Sequence, residues 1–161
     1  MTEPRVGRAA YLLGLAGLLP QLAAVALMIL ARNDPTDLAW IPLILGYGLA
    51  LIYGSLILSF LGGIWWGYAM RRIERQGPLA IAAIVPTLVG LGCIAFATDG
   101  LPAAVSPWPA VALGCAIIAT LVVDRRLVAT GEAPGNWMRL RLPLSLGLGG
   151  LTIAAGLLLI V

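Results

Sequence analysis

Trp40, Ile41 and Pro42 open the run WIPLILGYGLALIYGSLILSFLGGIWWGYAM, which reaches Met70 without a charged residue. Its 31 residues, coiled as a helix, cover about 46 Å at 1.5 Å per residue. A bilayer's hydrocarbon layer is only about 30 Å thick. The run therefore predicts a membrane-crossing helix over 40–70 that tilts, bends or begins in the interface. Pro42 suits its first turn, where a missing N–H breaks no bond.

Working outward, polar breakers bound this helix on both sides. Arg32, Asn33, Asp34, Pro35, Thr36 and Asp37 precede it, and Arg71, Arg72, Glu74, Arg75, Gln76, Gly77 and Pro78 follow it. Before the first breaker lies an apolar stretch, 9–31, interrupted only by Gln21. A secretory leader shares its basic-then-apolar pattern after Arg5 and Arg8. The stretch exceeds the ~7–15 residue core of a leader, however, and Glu3 is out of place in one, so 9–31 is taken as a helix. Beyond the second breaker, 79–98 predicts a helix containing Pro86, and Asp99 to Pro107 forms a Gly/Pro-rich loop.

Trp108 to Val123 supplies only 16 uncharged residues before Asp124, Arg125 and Arg126. A helix over 108–128 crosses if those arginines snorkel to the headgroups; a re-entrant hairpin is the alternative. Gly131, Pro134, Gly135 and Asn136 make the next loop, with Trp137 to Arg141 expected in the interface, and 142–161 gives the last helix. The expectation is a single all-α domain, 1–161, a five-helix transmembrane bundle. No internal repeat stands out.

Composition agrees. Hydrophobic residues make up 61% of the 161 and charged residues 11%, against about 25% charged in a soluble domain. Five spans and short loops leave no length for a separate soluble catalytic domain. The net charge of +3 comes from ten arginines with no lysine. They sit between apolar runs, where basic residues orient helices, so no nucleic-acid partner is expected. Two arginines precede the first helix, three lie in the second loop and four in the fourth, against one in the first loop. Basic residues stay cytoplasmic, which sets the N-terminus in and the C-terminus out. Trp40 and Trp108 fall at the outer helix ends, and Tyr11, Tyr68 and Trp137 near the inner boundary, where amphipathic rings settle.

Chemistry is sparse. There is no histidine, which removes the commonest general base and the commonest metal ligand. An ionisable residue deep in a span marks transport or proton relay, and none is expected here: Asp99 and Asp124 fall at helix ends within reach of water or headgroups. Arg71, Arg72, Arg75, Arg125 and Arg126 are candidates for contact with anionic headgroups, although orienting the helices explains them as well. Cys93 and Cys115 lie at similar depths, 8–10 Å below the outer helix ends by an estimate of about 1.5 Å per residue, and pack as small apolar residues in preference to pairing. The serines and threonines have no histidine to activate them, so no catalytic residue, metal site or cofactor is expected.

The organised feature is in the first segment quoted. Ser55, Ser59, Gly63 and Gly67 recur every four residues and would let another backbone approach along one stripe, and Trp65 and Trp66 add aromatic surface beside it. The stripe is a helix-packing seam or, alternatively, a groove for a lipid or quinone. As a seam, Gly63→Leu should be costly and Leu61→Ala, on the far face, mild.

The run Leu58-Ser59-Phe60-Leu61-Gly62-Gly63-Ile64-Trp65-Trp66-Gly67, preceded by Leu13-Gly14-Leu15-Ala16-Gly17-Leu18-Leu19-Pro20, resembles the membrane family catalogued as domain of unknown function 3429, the family of transmembrane protein 69. The resemblance covers most of the chain. It implies a multi-helix inner-membrane protein and brings no established activity. Together these readings lead to an expected non-enzymatic membrane protein that packs with other membrane helices, self or foreign, as an assembly or accessory subunit. The alternative is a small transporter or a lipid- or quinone-binding protein, and a polar-lined cavity inside the bundle would separate the two.

Overall fold

The structure, a computed structural model, describes residues 6–33, 35–36, 38–98 and 105–160. The expectations for Asp34, Asp99 and Val161 lie outside these residues. The described residues form six helices and no strands: α1 (Arg8–Ala16), α2 (Leu19–Arg32), α3 (Trp40–Met70), α4 (Gln76–Thr98), α5 (Trp108–Ala129) and α6 (Trp137–Leu157). Four segments are long and apolar enough to cross a membrane, namely 8–32, 40–70, 76–97 and 137–157. The helix with Asp124, Arg125 and Arg126 near its end, α5, is not among them.

Two boundaries depart from the sequence expectation for physical reasons. The helix expected over 9–31 is broken at Gly17 and Leu18. Pro20 has no N–H to give the carbonyl four residues back, and the chain tightens into shorter-range bonds, Gly17 to Gly14 at 2.9 Å and Leu18 to Leu15 at 3.0 Å. The Tyr53 hydroxyl donates to the Gly17 carbonyl at this break. At the other end of the chain α6 starts at Trp137 and not at Leu142, with Pro143 in its second turn. Trp137 to Arg141 therefore form the first turns of α6 instead of a loop before it.

The central element is α3, and its glycines show how the neighbours are arranged. A Cβ on Gly46 would meet Met28 and the Ala24 carbonyl of α2, one on Gly54 would meet Leu113 of α5, and one on Gly62 would collide with the Ala83 carbonyl of α4. Eight residues advance about 80° beyond two full turns, so each glycine faces a different helix and lets it approach closely. Polar contacts give the register. Ser55 Oγ donates to the Gly90 carbonyl at 3.3 Å and Ser59 bonds Thr87 at 2.9 Å, so α4 runs antiparallel to α3. The Tyr47 hydroxyl donates to the Ser106 carbonyl at 2.5 Å and Trp65 Nε1 to Asp124 Oδ1 at 3.0 Å, so α5 runs parallel to α3 along nearly its whole length. Helix α6 returns antiparallel to α5, with Gly149 against Gly114 and Gly156 against Pro107. Met28, Leu58, Leu113, Ile117 and Leu127 are fully buried among these helices.

The expected four-residue stripe does not form one packed line. Ser55 and Ser59 face α4, but a Cβ on Gly63 or Gly67 would meet nothing within 4 Å. A four-residue repeat drifts about 40° per step, and three steps carry the stripe off α4 onto the outside of the bundle. Within the chain Leu61 is buried and Gly63 exposed, so a cost at Gly63 would have to come from a partner outside the bundle.

Candidate functional site

Helix α5 carries Ile117, Thr120, Asp124 and Leu127 on one buried face, the three- and four-residue spacing that keeps side chains together. On α6, Trp137, Arg141, Ser145 and Leu148 recur in the same way. The antiparallel hairpin puts these faces opposite one another. Arg141 Nε donates to Asp124 Oδ2 at 2.6 Å, and its Nη2 donates to Thr120 Oγ1 at 3.1 Å. From α3, Trp65 Nε1 donates to the other carboxylate oxygen. Asp124 is 1% exposed and Arg141 4%. The expectation that Asp124 stays at an interface reached by water or headgroups is overturned: it is enclosed by three helices, with a cation and an indole bonded to it.

Taking both charges out of water costs several kcal/mol per ion, and close attraction with further hydrogen bonds must offset that. The tetrad Trp65, Thr120, Asp124 and Arg141 meets the requirement: each carboxylate oxygen accepts a bond and the guanidinium is engaged on two nitrogens. The result is an electrically neutral polar cluster about one and a half turns inside the bundle from the end where α3 and α5 stop.

Arg141 also forms part of the wall of a cavity of about 410 Å³. The cavity lies between α1, α3 and α6, with Ile117 of α5 behind it, and aliphatic side chains make up most of its lining. Its mouth is on the flank of the bundle, where the lining residues Leu13 and Phe60 are 74% and 64% exposed. Helix α1 buries none of its residues, in contrast to the four buried on α2. It closes the space against α6 at Gly14, where an added Cβ would lie 2.9 Å from Leu140 Cδ1 and 3.1 Å from Leu144 Cδ1. Two donors in the lining have no partner among the described residues, Ser145 Oγ and Trp137 Nε1. Deeper in the bundle Gln21 Nε2 donates to Thr152 Oγ1 at 2.9 Å.

The structure scatters the candidates read from the sequence. Trp65 enters the buried cluster, whereas Trp66 is 44% exposed on the outside. Arg71, Arg75, Arg125 and Arg126 are exposed near one end. Arg72 instead grips Glu132, with Nε to Oε2 and Nη2 to Oε1 both at 2.7 Å. This bond, aided by Thr130, holds the Glu132 carboxyl below the usual glutamate range. Cys93 is buried and Cys115 exposed, and both are free. No three His, Cys, Asp or Glu side chains converge on a metal-sized site among the described residues.

The sequence reading set Asp124 and Arg141 at an interface because charges near helix ends ordinarily reach water. A signal was present. Asp124 lies five residues before the end of α5 and Arg141 four residues after the start of α6, so a tight hairpin brings opposite charges level. No solved structure and no curated protein sequence matches the chain. The family model described as "Protein of unknown function (DUF3429)" matches residues 6–158, nearly the whole chain, which therefore belongs to that family.

Proposed function

We propose that this is a non-enzymatic, multi-pass protein of the bacterial inner membrane that holds a lipid-soluble amphipathic molecule in the cavity between α1, α3 and α6. The observation that carries the proposal is the composition of that cavity: an apolar space open on the bundle's flank, with Arg141, Ser145 and Trp137 as its polar groups. Ligand sites combine an apolar lining with a few placed polar groups in this way. A water-soluble ligand would have no entry through such a mouth, whereas a molecule dissolved in the bilayer would.

Five spans with the N-terminus inside are part of this proposal. Val6 N–H donates to Asn136 Oδ1 at 2.9 Å, and Arg72 is paired with Glu132, so the N-terminal segment, the α3–α4 turn and the α5–α6 turn share one end of the bundle. That end holds most of the arginines, as a cytoplasmic face should. A second reading, an accessory subunit packing against other membrane helices, is favoured by Gly63 and Gly67, which stand open beside the exposed Trp66. Extraction in mild detergent followed by native mass spectrometry tests both. A small apolar adduct on the 16.8 kDa chain supports the ligand proposal, a co-eluting membrane protein supports the second reading, and a bare monomer counts against both.

A further inference from the structure

We propose that the pocket where the first turns of α1 and α6 meet binds the phosphate of an anionic phospholipid, with Arg8 and Arg139 as its cationic contacts. This pocket shares only Leu140 with the flank cavity, so the proposal stands independently of the ligand-holding reading above.

A clamp between residues 130 positions apart builds the pocket. Val6 N–H donates to Asn136 Oδ1 at 2.9 Å, and Asn136 Nδ2 donates back to the Val6 carbonyl at 3.2 Å. One side-chain amide thus pairs both backbone groups of Val6 and fixes the start of α1 beside the N-cap of α6. Arg8 and Arg139 lie just beyond the two ends of the clamp, and both line the space of about 390 Å³ between the helices. Two arginines on the walls of one pocket repel each other. Among the described residues neither has a carboxylate within ion-pair distance, whereas Arg72 has Glu132 and Arg141 has Asp124. An anion between them removes the repulsion and accepts bonds from both, since guanidinium nitrogens only donate.

Position and lining identify the source of the phosphate. The pocket lies at the arginine-bearing end of the bundle, the level of the headgroups for helices that cross a bilayer. Arg8 and Leu12 are about 6 Å apart along α1, and over that rise the lining passes from charge to the Tyr11 ring, Leu12 and Leu140. Leu12 is 65% exposed, so this apolar part leads outward. The glycerol ester region of a lipid covers these side chains while its phosphate stays with the arginines; a water-soluble phosphate ester leaves them bare. The Tyr11 hydroxyl adds a donor for a phosphate oxygen. A bound lipid also gives α1 a second attachment. This helix buries none of its own residues, and a phosphate held by Arg8 and Arg139 ties it to α6.

The test titrates the full chain, purified in mild detergent, with phosphatidylglycerol, phosphatidylcholine and glycerol 3-phosphate, and reads occupancy by native mass spectrometry. Phosphatidylglycerol should bind in preference to phosphatidylcholine. Arg8→Gln and Arg139→Gln should each weaken it roughly fivefold, the effect of one basic residue near an anionic headgroup, and Arg125→Gln should not. Arg125 is exposed at the same end but outside the pocket, so the three variants change charge equally and differ in position. Arg8 and Arg139 are themselves exposed, and their substitution leaves the packing intact. Equal weakening in all three variants would assign the preference to the basic surface as a whole and overturn the site. Equal binding of the two lipids overturns the anionic head. Displacement of phosphatidylglycerol by glycerol 3-phosphate at like concentration overturns the bilayer as the source.

Discussion

Asp124 and Arg141 show what a single pair of residues does in an apolar bundle. Each is tolerable because of the other, so removing one is far worse than removing both. Arg141→Met leaves an unpaired buried carboxylate and should cost about 3–5 kcal/mol, whereas the double change Asp124→Leu with Arg141→Met should recover most of the loss. The midpoint of thermal aggregation in detergent measures this. Additive losses in the double variant would mean that the pair is not enclosed. Trp65→Phe keeps one aromatic ring but deletes both the bond to the carboxylate, worth about 1.5–3 kcal/mol for a bond to a charged group, and part of a buried side chain, so its cost should be at least that of the bond. At the surface the Arg72–Glu132 pair is weaker, under about 1 kcal/mol. Because the folded state holds the Glu132 carboxyl below its ordinary range, the contribution is complete above the ordinary glutamate value and disappears as pH falls through the depressed one. Arg72→Ala should lower stability by up to that amount at neutral pH, with the difference from the unaltered chain vanishing at acid pH, and so flatten that acid limb of the stability profile. Residue-scale features were the least legible in the sequence. Trp65 was noticed for its aromaticity, but its partner is 59 positions away, and nothing in local spacing points there.

At the scale of the element, α3 was legible because a long uncharged run flanked by arginines and breakers has few alternatives to a helix. Its packing faces were not legible. A repeat of four suggests a stripe, yet the glycines that touch neighbours are Gly46, Gly54 and Gly62, eight apart and each turned to a different helix. Gly62→Ala should therefore cost about 1–3 kcal/mol through overpacking against α4. Gly63→Ala, in open space, should be neutral or slightly stabilising through the better helix propensity of alanine. Loss of stability at Gly63 with tolerance at Gly62 would contradict this register and would point to a partner seated on the open face. The break between α1 and α2 was legible in principle from Gly17 and Pro20, but a continuous apolar run hides it. Its consequence is structural, since α1 stands off α3 and meets α6 around Gly14.

For the whole molecule, the all-helical class followed from hydropathy alone, and Val6, Arg72, Glu132 and Asn136 meet at one end of the bundle. Neighbour relations and the cavity depend on contacts far apart in sequence, and no local pattern reports them. The decisive element is α5, which lacks the composition of an independent span but lies along α3 from Ser106 near Tyr47 to Asp124 near Trp65. An isolated helix pays for a buried aspartate, whereas a hairpin that delivers Arg141 to Asp124 presents the bilayer with a neutral pair. Helices α5 and α6 should then insert together. Reporter fusions at Gly77 and Gly131 should read cytoplasmic, and a fusion after Val161 should read outside. In Arg141→Leu the Val161 reporter should turn partly cytoplasmic, and the added change Asp124→Leu should restore it. A Val161 reporter that reads cytoplasmic in the unaltered chain would show that α5 does not cross, and the five-span topology would have to be abandoned.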